Sequence, residues 1–360
     1  MNTICIANQK GGCGKTVTAI NLAAALKEKG VRVLLVDMDP QAHATYGLGL
    51  DANKLDKSIY NIMTTSQDNT VSINQVILST KDGFDLIPSH ILLTTLEQEL
   101  IDKPDAVSKL HNALSALDAS YDFTVIDSPP SLGFLTFNGL RAADLVIIPV
   151  EPSSFSFTGV GRLLSMVELL KTKLQHEPSV RAVLTMFNNR TNFAKKIEND
   201  MMKYFADNLY GTRIRINTDL REAASAGRSI IKYDRFAKGA QDYLSLAEEV
   251  IRDTKKQNAQ RIFCGAEEIL SKFLSREVAF KFAAPDAKEV YIAGEFNSWQ
   301  INENARLMRN GDGTWEKKCL IPKGRCRYKF YVDGNWINDP LNPVTDNNPF
   351  GGVDSALLEE

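Results

Sequence analysis

The order of hydrophobic and polar positions divides the chain into two parts with different periods. In the first part, short apolar runs alternate with helical stretches. Thr3 to Asn8, Arg32 to Asp39, Asp85 to Pro88, Phe123 to Asp127, Leu145 to Val150 and Arg181 to Phe187 read as buried strands, and Thr16 to Leu26 as a helix. Runs that are apolar on both faces predict a parallel sheet covered by helices. Gln241 to Thr254 places Leu244, Ala247, Val250 and Ile251 on one helical face, and the polar Lys255-Lys256-Gln257-Asn258 follows, so a first domain is expected over 1–254. Ile262, Phe263, Ile269, Leu270, Phe273 and Leu274 recur at helical spacing and predict a short helix in a linker over 255–276. From there the period becomes two, through Val278, Phe280 and Phe282, then Val290 and Ile292, then Trp315 to Ile321, then Cys326, Tyr328, Phe330 and Val332. This predicts a small antiparallel β-domain over 277–360, with Pro322-Lys323-Gly324 as a hairpin turn between its last two runs.

The composition is that of a folded chain: 360 residues, 44% hydrophobic and 24% charged. With 42 basic and 44 acidic residues, the net charge of −2 announces no polyanionic partner, so one would have to be met by a local patch. Gly211 to Ala240 offers such a patch, with seven basic residues against three acidic ones. Arg213, Arg215, Arg221 and Arg228 are its candidates for phosphate contacts, the alternative being a salt-bridged helix surface. The longest apolar runs are far short of the roughly 20 residues that cross a bilayer, and no signal peptide is evident. Cysteine is present at five positions without a C-x-x-C pair, which argues against a disulfide framework or zinc site and for a reducing cytoplasm.

Asn8-Gln9-Lys10-Gly11-Gly12-Cys13-Gly14-Lys15-Thr16 lies between the first strand and the first helix, the setting of a phosphate-binding loop. Glycines allow backbone N–H groups to close on phosphate oxygens, Lys15 supplies charge to the β- and γ-phosphates, and the Thr16 hydroxyl can hold Mg²⁺. The usual pattern would place glycine at Gln9, and the additional Lys10 is the informative departure.

With that lysine the segment resembles the deviant Walker A motif of the ParA and MinD superfamily. The resemblance implies an α/β parallel-sheet P-loop NTPase domain, an ATP and Mg²⁺ cofactor pair, and a homodimer sandwiching ATP in which Lys10 reaches the partner subunit's nucleotide. It also extends the nucleotide contacts to Val17 and Asn188. Val33 to Gln41 is similar to the family segment with the hydrolytic aspartate, which implies that Asp39 activates the attacking water and Asp37 supports Mg²⁺ and the loop. Phe123 to Ser131 is similar to the Walker B segment, giving Asp127 a water-mediated Mg²⁺ role. Further likeness at Asn138 to Asp144, Ile148 to Pro152, Thr185 to Thr191 and Leu220 to Val250 covers nearly the whole first domain.

Rival readings fit less well. Asn53-Lys54-Leu55-Asp56 spells a guanine-recognition pattern, but directly after the second strand, too early for a base-reading segment. An iron–sulfur cluster of the nitrogenase iron-protein kind lacks its cysteines, and the basic membrane helix of MinD relatives has no counterpart. ParA-like partitioning is therefore expected, with a cytoplasmic, nucleoid-associated location, nonspecific DNA binding in the ATP state and a ParB-like activator or cargo adaptor as partner. Two positions at which many relatives carry arginine are Ile216 and Asp219 here.

Glu289 to Trp299 and Tyr328 to Trp336 resemble the glycogen-binding module of AMP-activated kinase β subunits, which implies an immunoglobulin-like β-sandwich. Alternation turns Lys329 away from Tyr328 and Phe330. Trp299 and Trp336 are then candidates to stack on sugar rings, with Lys329 hydrogen-bonding hydroxyls. Gly352-Val353-Asp354-Ser355 stands where that family has Gly-x-Val-Asn-Asn. A glucan or a protein is the expected ligand of this domain, whose assembly the ATPase would regulate if the chain were a scaffold.

Overall fold

The computed structural model describes residues 1–66, 71–118, 121–153, 156–259, 275–348 and 352–358. The chain forms two compact units, Met1–Ile269 and Leu270–Glu360. The first contains strands β1 (Asn2–Ile6), β2 (Val33–Asp37), β3 (Leu78–Ser79), β4 (Asp85–Ile87), β5 (Phe123–Asp127), β6 (Leu145–Val150), β7 (Ser179–Phe187) and β8 (Leu209–Arg215). They form one sheet in the order β3-β4-β2-β5-β1-β6-β7-β8, parallel except where β3 meets β4. Each expected strand is present. β8 was not expected, because Tyr210 and Ile214 are its only well-buried positions and Arg213 and Arg215 give the stretch a surface look.

The helices are α1 (Lys15–Glu28), α2 (His43–Gly47), α3 (Ile59–Met63), α4 (Leu96–Leu100), α5 (Lys109–Ser115), α6 (Phe134–Ala142), α7 (Ser156–Leu174), α8 (Asn192–Phe205), α9 (Asp219–Ser225), α10 (Ile230–Tyr233) and α11 (Lys238–Ala259). Helix α1 is rich in alanine, and its buried Ala19, Ala23, Ala24 and Ala25 join the core formed by Ile4, Leu35, Val125 and Ile147 of the sheet and Ala240, Leu246 and Val250 of α11. A hydrogen bond of 3.2 Å between Thr18 Oγ1 and Tyr243 Oη ties the two helices. Helix α11 runs five residues beyond the domain end expected at 254, because 255–259 continue it without a break. The expected helix from Ile262 to Leu274 lies outside the described residues.

The second unit holds β9 (Ser275–Ala283), β10 (Val290–Gly294), β11 (Met308–Arg309), β12 (Thr314–Pro322), β13 (Cys326–Val332), β14 (Asn335–Ile337), β15 (Thr345–Asn347) and β16 (Val353–Leu357). One sheet runs β11-β12-β9 and the other β10-β13-β16-β15, with β14 on β13. Phe280, Phe282, Trp315 and Ile321 of the first sheet meet Val290, Ile292, Tyr328, Phe330 and Val332 of the second in one core, as period-two alternation requires. The hairpin expected at Pro322-Lys323-Gly324 is overturned: β12 pairs with β9 and β11, whereas β13 pairs with β10, β14 and β16. The segment is a corner between sheets. Pro322 has no N–H to continue a ladder, and Gly324 at φ 107° turns the chain across the core.

Candidate nucleotide site and aromatic face

The parallel register brings the chemistry of three separate stretches to one edge. Asp127 at the end of β5 lies opposite Ile6 of β1 on one side and Asp37 of β2 on the other. The glycine loop that follows β1 therefore lies beside both carboxylates. Gly12 at φ 74° and Gly14 at φ 91° adopt left-handed backbone conformations, and a Cβ on Gly11 or Gly12 would meet no atom within 4 Å, so the loop is an open cradle. Gly14 caps α1, leaving its first N–H groups directed into the cradle.

The loop is braced from neighbouring elements. Asn8 Nδ2 donates to Pro149 O at 2.7 Å and Asn8 Oδ1 accepts from Lys10 N, while Thr185 Oγ1 donates to Cys13 O at 2.8 Å. A Cβ on Gly159 of α7 would come within 3.0 Å of Asn8 Oδ1, so glycine lets that helix approach. Burial raises the Cys13 thiol above its usual range, and the thiol donates to Lys10 O at 3.2 Å. Lys15 is 7% exposed and donates to Lys10 O at 3.0 Å, curling over the loop. Lys10 points elsewhere: its ammonium pairs with Glu151 and donates to Ser153 Oγ at 2.8 Å.

The carboxylates differ in their satisfaction. Asp37 is fully buried and accepts from Thr45 N, Thr45 Oγ1 and Asp39 N. Burial nevertheless pushes its carboxyl up to about 7, with the Thr45 hydrogen bonds opposing the rise. Neither oxygen of Asp127 has a hydrogen-bond partner among the described residues. Burial first and Asp37 second raise it well above the usual carboxylate range, opposed by the Thr16 hydroxyl, which sits nearby without reaching hydrogen-bond geometry. An orphaned carboxylate beside Thr16 and a glycine cradle fits a hydrated Mg²⁺. Asp39 is 6% exposed, and its Oδ1 accepts from Gln41 N at 2.9 Å. Its carbonyl accepts from buried Ser89 Oγ, whose own N–H reaches Thr45 Oγ1 at 3.1 Å. Next to this loop, Ala42 holds φ 54°, a left-handed conformation in a residue with a side chain.

A pocket of about 400 Å³ opens from Gly14 and Val17 and is lined by Met186, Asn188, Ile214, Asn217 and Tyr243 among others. Val17 and Asn188 thus share a pocket with the loop. Glu151, Ser153, Thr45 and Ser89 were missed in the sequence, although Glu151 follows the end of a strand, where ligand-side residues gather.

Similarity to known proteins follows the same outline. Residues 1–180 match the family model described as an AAA domain. The chain is 42% identical over 248 residues to the sporulation initiation inhibitor protein Soj of Bacillus subtilis (strain 168), covering 69% of this chain and 97% of Soj. The chain belongs to the ParA/Soj family. To the chromosome partitioning protein ParA of Myxococcus xanthus (strain DK1622) it is 38% identical over 262 residues, 72% of this chain and 91% of that one. A solved cobyrinic acid a,c-diamide synthase from Mycobacterium smegmatis with bound ADP and magnesium superposes with a TM-score of 0.60 at 31% identity, over 71% of this chain and 96% of that one. The loop, Asp37, Asp39 and Asp127 all lie within this ParA/Soj-like part of the chain. Residues 276–354 match the family model described as the glycogen recognition site of AMP-activated protein kinase.

The four arginine candidates part company. Arg213 Nε pairs with Glu198 at 2.6 Å and Arg215 with Asp242 at 2.5 Å, so both hold β8 to its neighbours α8 and α11. Arg221 and Arg228 are exposed and have no ion-pair partner among the described residues. Ile216 is 62% exposed. In the second unit, Trp299 and Trp336 meet edge to face at 6.1 Å. Lys329 faces outward as expected, but it is not a free donor: Asp354 holds its ammonium at 2.9 Å. Among the described residues no helix is long and apolar enough to cross a membrane.

Proposed function

We propose that the chain binds Mg-ATP at the edge of its parallel sheet, dimerises across two nucleotides and hydrolyses ATP slowly, so that the dimer positions a cargo. The observation that carries this reading is the buried, unpartnered carboxylate of Asp127 beside the glycine cradle. Backbone N–H groups of residues 11–16 bind phosphate oxygens and Lys15 adds charge near them. Thr16 and Asp127, with Asp37 behind them, would hold Mg²⁺, which when bound supplies positive charge to the β- and γ-phosphates. Asp39 orients the attacking water, held in place by Ser89 and Gln41. Lys10 stabilises charge on the partner's nucleotide, and it must first leave Glu151 and Ser153. Val17 and Asn188 line the space for the nucleoside.

The family membership supports a partitioning or positioning role, with a ParB-like activator or cargo adaptor to trigger hydrolysis. Arg221 and Arg228 are the residues that support DNA contact, and their replacement by alanine is expected to reduce the salt slope of ATP-dependent DNA binding. The aromatic face of the second unit supports glucan as its ligand, through Trp299 and Trp336. Equilibrium titration with a fluorescent ATP analogue tests the nucleotide reading: binding that needs Mg²⁺ and is lost in Lys15→Ala supports it, and Mg²⁺-independent binding in both proteins contradicts it.

A further inference from the structure

A sheet edge is a row of unpaired backbone N–H and C=O groups, and natural sheets shorten or cap such edges. Most edges here follow that rule. β3 and β11 have two residues, and β14 and β15 three. On β8, Gly211 and Thr212 donate their N–H groups to Glu249, and Arg215 donates its own to Asp242. On β10, Val290 O accepts from Leu307 N and Tyr291 bridges to Arg306. β9 departs from the rule. It is nine residues long, it pairs with β12 alone, and among the described residues no backbone group bonds to its other edge.

The side chains of that edge strand are self-complementary. Glu277, Ala279 and Lys281 alternate along its outer face, all exposed. Antiparallel pairing of β9 with β9 of a second copy, centred on Ala279, sets Glu277 of each copy opposite Lys281 of the other. Centring on Glu277 or on Lys281 would oppose like charges, and no other register matches both residues to their complements. The neighbouring strand extends the pattern. Glu316 of β12 lies opposite Lys281 and pairs with it at 3.5 Å, and Lys318 reaches Glu277 at 2.9 Å, so each Lys281 would stand between an acid of its own chain and one of the second copy. On the inner face the same register sets Val278, which is only half-buried, against Phe280 of the second copy.

Room for an added strand is present. A cleft of about 420 Å³ opens beside the first half of β9, lined by Arg276, Val278, Leu341, Val344 and Leu358 among others. Leu341 is 76% and Leu358 51% exposed, an apolar border that an added strand would cover. One strand pair buries less than the roughly 1,200 Å² of stable interfaces, so the expected dissociation constant is on the order of 0.1 mM. At the micromolar concentrations of a light-scattering measurement the copies are therefore apart.

We propose that the free edge of β9 is a second self-association surface, pairing antiparallel with β9 of another copy about a two-fold axis at Ala279. A chain already joined to a partner across nucleotides keeps this edge, so the two contacts together would link copies into open chains where the protein is concentrated. That consequence rests on the ATP-dimer reading, whereas the β9 pairing itself does not.

The test is sedimentation velocity of the nucleotide-free, full-length Lys10→Ala chain from micromolar to submillimolar concentration, a background in which dimerisation across ATP plays no part. This chain is expected to dimerise as its concentration rises. Glu277→Lys and Lys281→Glu each oppose like charges at both ends of the pair and are expected to weaken dimerisation at least about tenfold. An equimolar mixture of the two variants restores it, because each chain supplies the charge the other lacks, and the double exchange Glu277→Lys, Lys281→Glu restores it within one chain. Near-UV circular dichroism checks the fold of each variant. If a single variant dimerises as well as the parent chain, or if neither the mixture nor the double exchange recovers dimers, the β9 register is overturned. A parent chain that stays monomeric throughout overturns the pairing, and the ATP dimer is untouched by either result.

Discussion

In the first unit the proposed site sits at the ends of strands, and in the second the proposed site sits on a strand's face. At the nucleotide site, parallel register gathers Asp37, Asp127 and the glycine loop at one edge, and the carboxylates there are buried without matching cations. On the outer face around β13, every cation meets an acid from an adjoining segment. The contrast separates two ways of preparing a binding surface. The proposed strand-end site leaves its carboxylates for a cation to satisfy, and the proposed strand-face site cancels its charge beforehand, so that stacking and hydroxyl recognition would remain to work there.

The largest effect that would break this comparison is functional. Lys15→Ala and Asp39→Ala are each expected to lower ATP turnover by at least about 100-fold while leaving maltoheptaose binding intact, measured by phosphate release and calorimetry on the same preparations. A loss of both activities in either variant would mean that the two surfaces are not separate sites.

Next come two asparagine substitutions of opposite sign. Asp127→Asn removes a buried, unpartnered carboxyl whose ionisation burial opposes and is expected to stabilise the nucleotide-free protein by about 1–3 kcal/mol, whereas Asp354→Asn strands Lys329 and is expected to cost about 1–2 kcal/mol. Chemical denaturation resolves both, and equal signs would contradict the account. The pH dependence follows from the same burial. Asp37 has a folded value of about 7 against an ordinary 3.8. Between those values the folded state holds a proton that the unfolded state has lost, so this contribution is present at low pH and disappears as pH rises through the window. The nucleotide-free protein should therefore melt at a lower temperature at pH 8 than at pH 6, a difference that saturating Mg-ATP removes.

A smaller effect sharpens the description of the strand-end site. Ala42 at φ 54° follows Asp39 closely, and Ala42→Gly relieves the left-handed strain, for an expected gain of about 1 kcal/mol in denaturation experiments. A loss of stability would show that the methyl group packs better than its conformation costs.

What could be read from the sequence follows from how local each feature is. The cradle was legible because Lys10 to Thr16 are consecutive and lie between a strand and a helix, and Asp37, Asp39 and Asp127 because each ends an apolar run. The partners of Lys10 were not, since Glu151 and Ser153 lie more than 140 positions away and only the sheet order brings them near. Period two correctly assigned the buried set Phe280, Phe282, Tyr328 and Phe330, but it carries no pairing information, so a sheet-to-sheet corner at Pro322 to Gly324 read as a hairpin. Alternation correctly turns Lys329 outward, but its acid is not legible in the sequence, because Asp354 comes from a separate strand, β16, that pairs with β13. Charge counting likewise grouped Arg213 and Arg215 with Arg221 and Arg228, although the first two serve the packing of β8.

The central claim is a nucleotide-dependent dimer that needs Lys10 from each chain, and the most direct test is the mass of Asp39→Ala in solution by light scattering, with and without Mg-ATP. The account predicts a dimer only with ATP, reverting to a monomer in the Asp39→Ala, Lys10→Ala double variant. A dimer that persists without Lys10, or a monomer under every condition, would contradict it.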